Sequence, residues 1–134
     1  MIVPKGKKLL VTEDASGNKE ITYSENDNII DMNIVVLTSE YSASASEILV
    51  GALKDNNEAT IVGTKTYGKG VIQEVKVLTD GSALKLTIEE YYTPNENKIN
   101  KEGIEPHETV ELPEDENDTT DTQKARAIEI LKAR

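Results

Sequence analysis

The chain has 134 residues, 15 basic and 25 acidic side chains, a net charge of −10, and no Phe, Trp or Cys. That length fits one domain with one core, built from aliphatic side chains and five tyrosines. Disulfides, thiolate metal sites and a Cys nucleophile are excluded, the single histidine argues against a His-based metal centre, and the acidic balance argues against nucleic acid and anionic membrane as partners.

The first thirty residues are polar and turn-rich. Lys7 to Thr12 reads as a strand, Asp14 to Lys19 as a hairpin turn and Glu20 to Tyr23 as the returning strand. This opening offers no strong core element, as though the chain began partway through a larger domain. Asn33 to Thr38 is a β-branched run of the kind covered on both faces, and is far too short to span a membrane. Ser42 to Asn56 carries Ala45, Ile48, Leu49, Ala52 and Leu53 at helical spacing. Ala59 to Val62 is a short buried strand. Val71 to Leu78 alternates, Thr79-Asp80-Gly81-Ser82 turns, and Ala83 to Tyr92 returns as its partner.

Thr109 to Leu112 reads as a further short strand. Residues 102 to 121 then hold nine carboxylates and no Lys or Arg, so 113–121 is expected to be a solvated acidic linker. Thr120-Asp121-Thr122-Gln123 reads as a capping box opening a last helix with Ala127, Ile128 and Leu131 on its apolar face. The order of elements gives an α/β domain with a mixed sheet and flanking helices.

Two segments can carry chemistry. Ser42-Ala43-Ser44-Ala45-Ser46-Glu47 lies between a buried strand and a helix, where a nucleophile would sit at the sheet's edge with the helix N-terminus aimed at it. The plain alternative is a capping box, Ser44 with Glu47 three residues on. Gly63 to Gly70 nearly spells a phosphate-binding loop. Gly70 stands where a Ser or Thr is needed, and a strand follows where a helix should, so no nucleotide is expected. A serine needs a base. The only histidine, His107, lies in a polar loop, and a desolvated lysine can serve instead. Lys69 is framed by glycines and lies 25 residues beyond Ser44, with one helix and one strand between them, a βαβ-like excursion that returns the chain beside its start.

At these residues the sequence resembles the C-terminal processing peptidases, or tail-specific proteases, of the Ser–Lys serine peptidase class. The likeness runs from about Ile34 to Leu112. It rests on Ser42-Ala43-Ser44-Ala45-Ser46-Glu47-Ile48, Gly51-Ala52-Leu53-Lys54-Asp55, Gly63 with Thr66-Tyr67-Gly68-Lys69-Gly70, Gln73, Tyr92-Thr93-Pro94 and Gly103-Ile104-Glu105-Pro106. The resemblance implies a crotonase-like/ClpP-like α/β fold, of which residues 1–134 would form a single, partial catalytic domain without the family's PDZ domain. It implies Ser44 as nucleophile, Lys69 as general base, Gln73 as the residue orienting the lysine and the Ala45 amide as one oxyanion donor, with no metal or other cofactor. It further implies a protein or peptide substrate with a flexible C-terminal tail, and a place outside the cytoplasm, in the periplasm or cell envelope.

Three departures qualify the likeness. Tyr41 replaces a common glycine and is expected to narrow the approach to the oxyanion site, and His107 replaces a usual Asp. The upstream glycine-rich segment that supplies the second oxyanion donor is not in this sequence, and losing one such donor costs about 10²–10³ in rate. The isolated chain is therefore expected to be a fragment with impaired activity. Two other readings stand beside the peptidase: a non-catalytic ligand- or peptide-binding module on the same fold, and a Ser–His hydrolase with His107 folded over Ser44. Asp55, 11 residues beyond Ser44, lies about 16 Å along the helix and is expected only to close it.

Overall fold

The computed structural model describes residues 2–113, 115 and 119–133. In chain order the elements are β1 (Lys8–Asp14), β2 (Lys19–Tyr23), β3 (Val35–Thr38), α1 (Ala45–Asp55), β4 (Thr60–Gly63), β5 (Val71–Val77), β6 (Ala83–Tyr92), β7 (Glu108–Thr109) and α2 (Thr122–Lys132). The mixed α/β class holds, and the strands divide into two sheets. One is antiparallel in the order β2-β1-β6-β5; the other is parallel in the order β3-β4-β7. Parallel neighbours need a crossover. Here α1 supplies it between β3 and β4, which pair from Val35 with Thr60 to Thr38 with Gly63.

Helix α1 touches β1 of the first sheet and β4 of the second, so the core forms at that seam. Val3, Val50, Leu53, Ala59, Ile61, Tyr91, Ile99 and Ile104 pack together there. Full burial of an aliphatic such as Leu53 or Ile61 is worth about 1.5–3 kcal/mol. The opening segment belongs to this core, contrary to the sequence reading. Val11 is fully buried, and β1 is an inner strand paired to both β2 and β6.

Other expectations need correction. The buried residues of α1 are Glu47, Val50, Gly51, Ala52 and Leu53, while Leu49 is 52% exposed, so the inward face is rotated from the one the apolar spacing suggested. Leu37 is 41% exposed, so β3 is covered less completely than a two-faced inner strand. The strand expected at Thr109–Leu112 is the shorter, earlier β7. On α2, Ala127 is buried but Ile128 and Leu131 are each 41% exposed, and the N-cap is Asp121, which accepts from the Lys124 amide. Beyond Ile72 the β5–β6 hairpin leaves Val75, Val77, Leu84 and Leu86 exposed, and among the described residues β5 packs mainly on β6. Most of the 113–121 linker, residues 114 and 116–118, lies outside the described residues.

Candidate active site

The chain leaves β3 at Thr38, turns through Ser39 to Ser42, where the Ser42 amide donates to the Ser39 carbonyl at 2.9 Å, and enters α1 at Ala45. Ser44 stands at the junction with φ 56° and ψ −118°. An N-cap residue ordinarily takes β-region angles. Those of Ser44 belong instead to the first central position of a type II′ turn, where glycine is usual. Holding a serine there costs about 1–3 kcal/mol, and a helix cap alone gives no reason to accept that cost. A strained turn from strand to helix is how a nucleophilic serine is presented above a sheet. Ala45, the first helical residue, is exposed, and its N–H has no acceptor within the helix.

Glu47 fixes this turn to the lysine loop. Its carboxylate is fully buried and takes four donors. The Ser44 amide (3.0 Å) and the Lys69 amide (2.8 Å) meet at Oε2, while the Gly68 amide (2.7 Å) and the Thr66 hydroxyl (2.6 Å) meet at Oε1. A carboxylate offers two acceptor oxygens and about four lone-pair sites, so the set is saturated. Ser44 and Lys69 are thereby brought together at the backbone, across 25 residues of sequence.

The loop approaches Glu47 closely because it has glycines where it does. Gly68 adopts φ +89°, and a Cβ on it would meet the Gly103 amide nitrogen at 2.9 Å; a Cβ on Gly70 would lie 2.4 Å from the Asn100 amide nitrogen. On the far side, the Tyr91 amide donates to the Gly70 carbonyl at 2.9 Å and the Tyr91 hydroxyl donates to the Lys69 carbonyl. Sequence reading missed both Glu47 and Tyr91 as members of the site. Glu47 carried a signal, being a charged residue in helical register with Val50 and Gly51. Tyr91 carried none beyond adjoining Tyr92-Thr93-Pro94.

The remaining candidates are placed as follows. The Lys69 side chain is exposed, and among the described residues no hydrogen bond joins its ammonium to Ser44 or Gln73. The Gln73 amide nitrogen donates to the Thr87 hydroxyl at 3.3 Å. A register shift between Ile72 and Gln73, which passes over Ile88 of β6, sets Gln73 opposite Thr87. Asp55 accepts from the Asn95 amide at 2.8 Å and so ties the end of α1 to the turn after β6, in keeping with a closing role. Tyr41 is 83% exposed.

His107 is engaged by β4. Its Nδ1 accepts from the Ile61 amide at 2.9 Å, and its own amide donates to the Ile61 carbonyl at 2.8 Å, fixing it beside β4. Burial, and secondarily the charge of Lys54, push its pKa below the ordinary histidine value. The unfolded chain therefore takes up a proton near pH 6.5 that the folded chain refuses, and stability falls as pH drops from there through the lower folded value. The expected result is that melting temperatures of wild type and His107→Asn, compared from pH 7.5 to 5.5, converge as pH falls. Parallel curves would exclude His107 as a source of acid sensitivity.

Residues 1–110 match the model of peptidase family S41. The chain is 44% identical over 105 residues to a carboxyl-terminal-processing protease of Synechocystis sp., covering 78% of this chain and 25% of that protein. It is 41% identical over 116 residues to a probable CtpA-like serine protease of Staphylococcus aureus, covering 84% and 23%. Among solved structures, a photosystem II D1 C-terminal processing protease superposes with a TM-score of 0.76 at 36% identity, covering 85% of this chain and 31% of that one. The tricorn protease shares the fold, with a TM-score of 0.60 at 20% identity over 96% of this chain and 12% of that one. The chain thus spans about a quarter of the length of these curated relatives. A strained serine at a strand-to-helix turn, a buried glutamate joining it to a Gly-Lys-Gly loop, and the match over residues 1–110 together place this chain in peptidase family S41.

Proposed function

We propose that this sequence carries the nucleophile and base of a serine endopeptidase that cleaves proteins near their C-termini. Ser44 Oγ attacks the scissile carbonyl while its proton passes to the Lys69 amine. The Ala45 amide, at the positive end of α1, donates to the oxyanion of the tetrahedral intermediate. Lys69 returns the proton to the leaving amine, and water then hydrolyses the acyl-serine ester with Lys69 again as base. Gln73, exchanging its long, exposed contact with Thr87, accepts from the lysine ammonium and orients it.

The observation that carries this reading is the φ of 56° at Ser44, locked by the same carboxylate oxygen that holds the Lys69 amide. A non-catalytic binding module has no use for a serine strained in that position. A lysine acts as base only when neutral, which desolvation favours. Lys69 is exposed in this chain, so substrate or other parts of a longer protein have to cover it. We therefore take residues 1–134 as part of a catalytic domain, impaired when isolated, within a longer extracytoplasmic protease whose PDZ domain presents the flexible tail of the substrate.

The test is peptide cleavage by that longer protein. Lys69→Ala and Ser44→Ala are each expected to abolish turnover, and His107→Ala to leave it largely intact. Retained cleavage in Lys69→Ala, or its loss in His107→Ala, would overturn the dyad.

A further inference from the structure

We propose that the free edge of β5 is a self-association surface, on which β5 of a second copy of this chain pairs antiparallel about a two-fold axis at Val75. β5 ends the antiparallel sheet, and among the described residues no strand lies on its outer side. Which backbone groups face outward follows from the bonds that this segment makes to β6. The Gly70 carbonyl accepts from the Tyr91 amide at 2.9 Å and the Leu78 amide donates to the Ser82 carbonyl at 2.8 Å, so the even-numbered residues turn toward β6. Strand residues alternate in this respect, and Gln73, Val75 and Val77 therefore present their N–H and C=O groups to the outside. Their side chains are exposed too, Val75 by 58% and Val77 by 71%. An unpaired edge of this length and apolar character is a template for another strand.

The charges on β5 choose the occupant and its register. Edge strands are ordinarily guarded by charges that repel a second copy. Here Glu74 and Lys76 are exposed, have opposite signs and share one face of the strand. With Val75 opposite Val75 of the second copy, Glu74 meets Lys76 of that copy and Lys76 meets its Glu74. These are non-hydrogen-bonded pairs, the kind whose side chains approach more closely. Val75 exchanges both backbone bonds with its counterpart, and Gln73 does so with Val77 of the second copy. An axis at residue 74 would set Glu74 against Glu74, and one at 76 would set Lys76 against Lys76. At 73 or 77 neither charge meets an opposite one. Like charges directly opposite are destabilising, so a single register survives. A two-fold contact closes on itself, and the sheet continues through both copies in the order β2-β1-β6-β5-β5-β6-β1-β2.

The test is sedimentation equilibrium of this chain from about 5 to 500 µM in about 0.15 M salt, where charges more than about 8 Å apart are largely screened. Wild type is expected to pass from monomer to dimer in this range. Val75→Pro deletes an outward N–H and leaves the β5–β6 ladder intact, and is expected to weaken association about tenfold or more. Glu74→Lys and Lys76→Glu should each weaken self-association about tenfold or more, since each sets like charges against each other twice. An equimolar mixture of these two variants should associate about as tightly as wild type, because every charge then meets its opposite. Both variants remain net acidic, so general attraction between them does not produce this result. A wild type that stays monomeric throughout, its edge left to a peptide substrate or to another segment of a longer protein, would overturn the proposal. So would a monomeric mixture, or a proline variant that associates like wild type. If Val75→Pro fails to fold, the two charge variants, both on exposed side chains, decide alone.

Discussion

Glu47→Gln should destabilise this chain by about 3–5 kcal/mol and abolish the reactivity of Ser44 toward a fluorophosphonate probe. The native carboxylate is an acceptor only, and four donors converge on it from Ser44, Lys69, Gly68 and Thr66. A glutamine keeps the shape but turns one oxygen into an NH2 group, whose two hydrogens would face donors. Either those groups lose their acceptor inside a fully buried site or the lysine loop moves away. The first outcome costs stability; the second separates Ser44 from Lys69. Chemical denaturation of both proteins measures the first effect and probe labelling the second. A midpoint and labelling rate equal to wild type would show that Glu47 does not hold the site together.

Ser44→Gly should abolish cleavage while making the chain more stable than Ser44→Ala by about 1 kcal/mol. Both variants lack the hydroxyl, so their comparison isolates the backbone. Alanine retains the Cβ that makes φ 56°, ψ −118° costly, by about 1–3 kcal/mol. Glycine adopts the position freely but loses about 0.5–1 kcal/mol through its more flexible unfolded state. The difference should appear as a melting temperature higher in the glycine variant by about 2–8 °C. A glycine variant no more stable than the alanine variant would mean that the turn stores no strain, and would remove the main physical argument for Ser44 as a presented nucleophile.

The sequence by itself determined the features encoded within a few residues. The Thr79-Asp80-Gly81-Ser82 turn and the alternation around it give the β5–β6 hairpin to within a residue, and the return strand Ala83–Tyr92 has the bounds read from sequence. Helix α1 and its flanking strands are legible from periodicity, and with them the crossover that returns the Lys69 loop beside Ser44. Family landmarks marked the same two residues.

Tertiary structure decided what depends on partners distant in the sequence. Glu47 looks like half of a capping box, and its amide partner Ser44 is indeed local. Its burial follows only from the Thr66–Lys69 loop, 19 to 22 residues away, folding onto it. Tyr91 is one of two adjacent strand tyrosines, and which of them reaches the Lys69 carbonyl depends on how β6 pairs with β1 and β5. The register shift that passes over Ile88 of β6 sets Gln73 against Thr87, a pairing that depends on the partner strand. The division into two sheets, with α1 at their seam, buries Val11 and leaves Leu49, Ile128 and Leu131 exposed. Periodicity states that an apolar stripe exists; burial and hydrogen-bond pairing are properties of the surface that meets it, and that surface is assembled only when residues tens of positions apart come into contact.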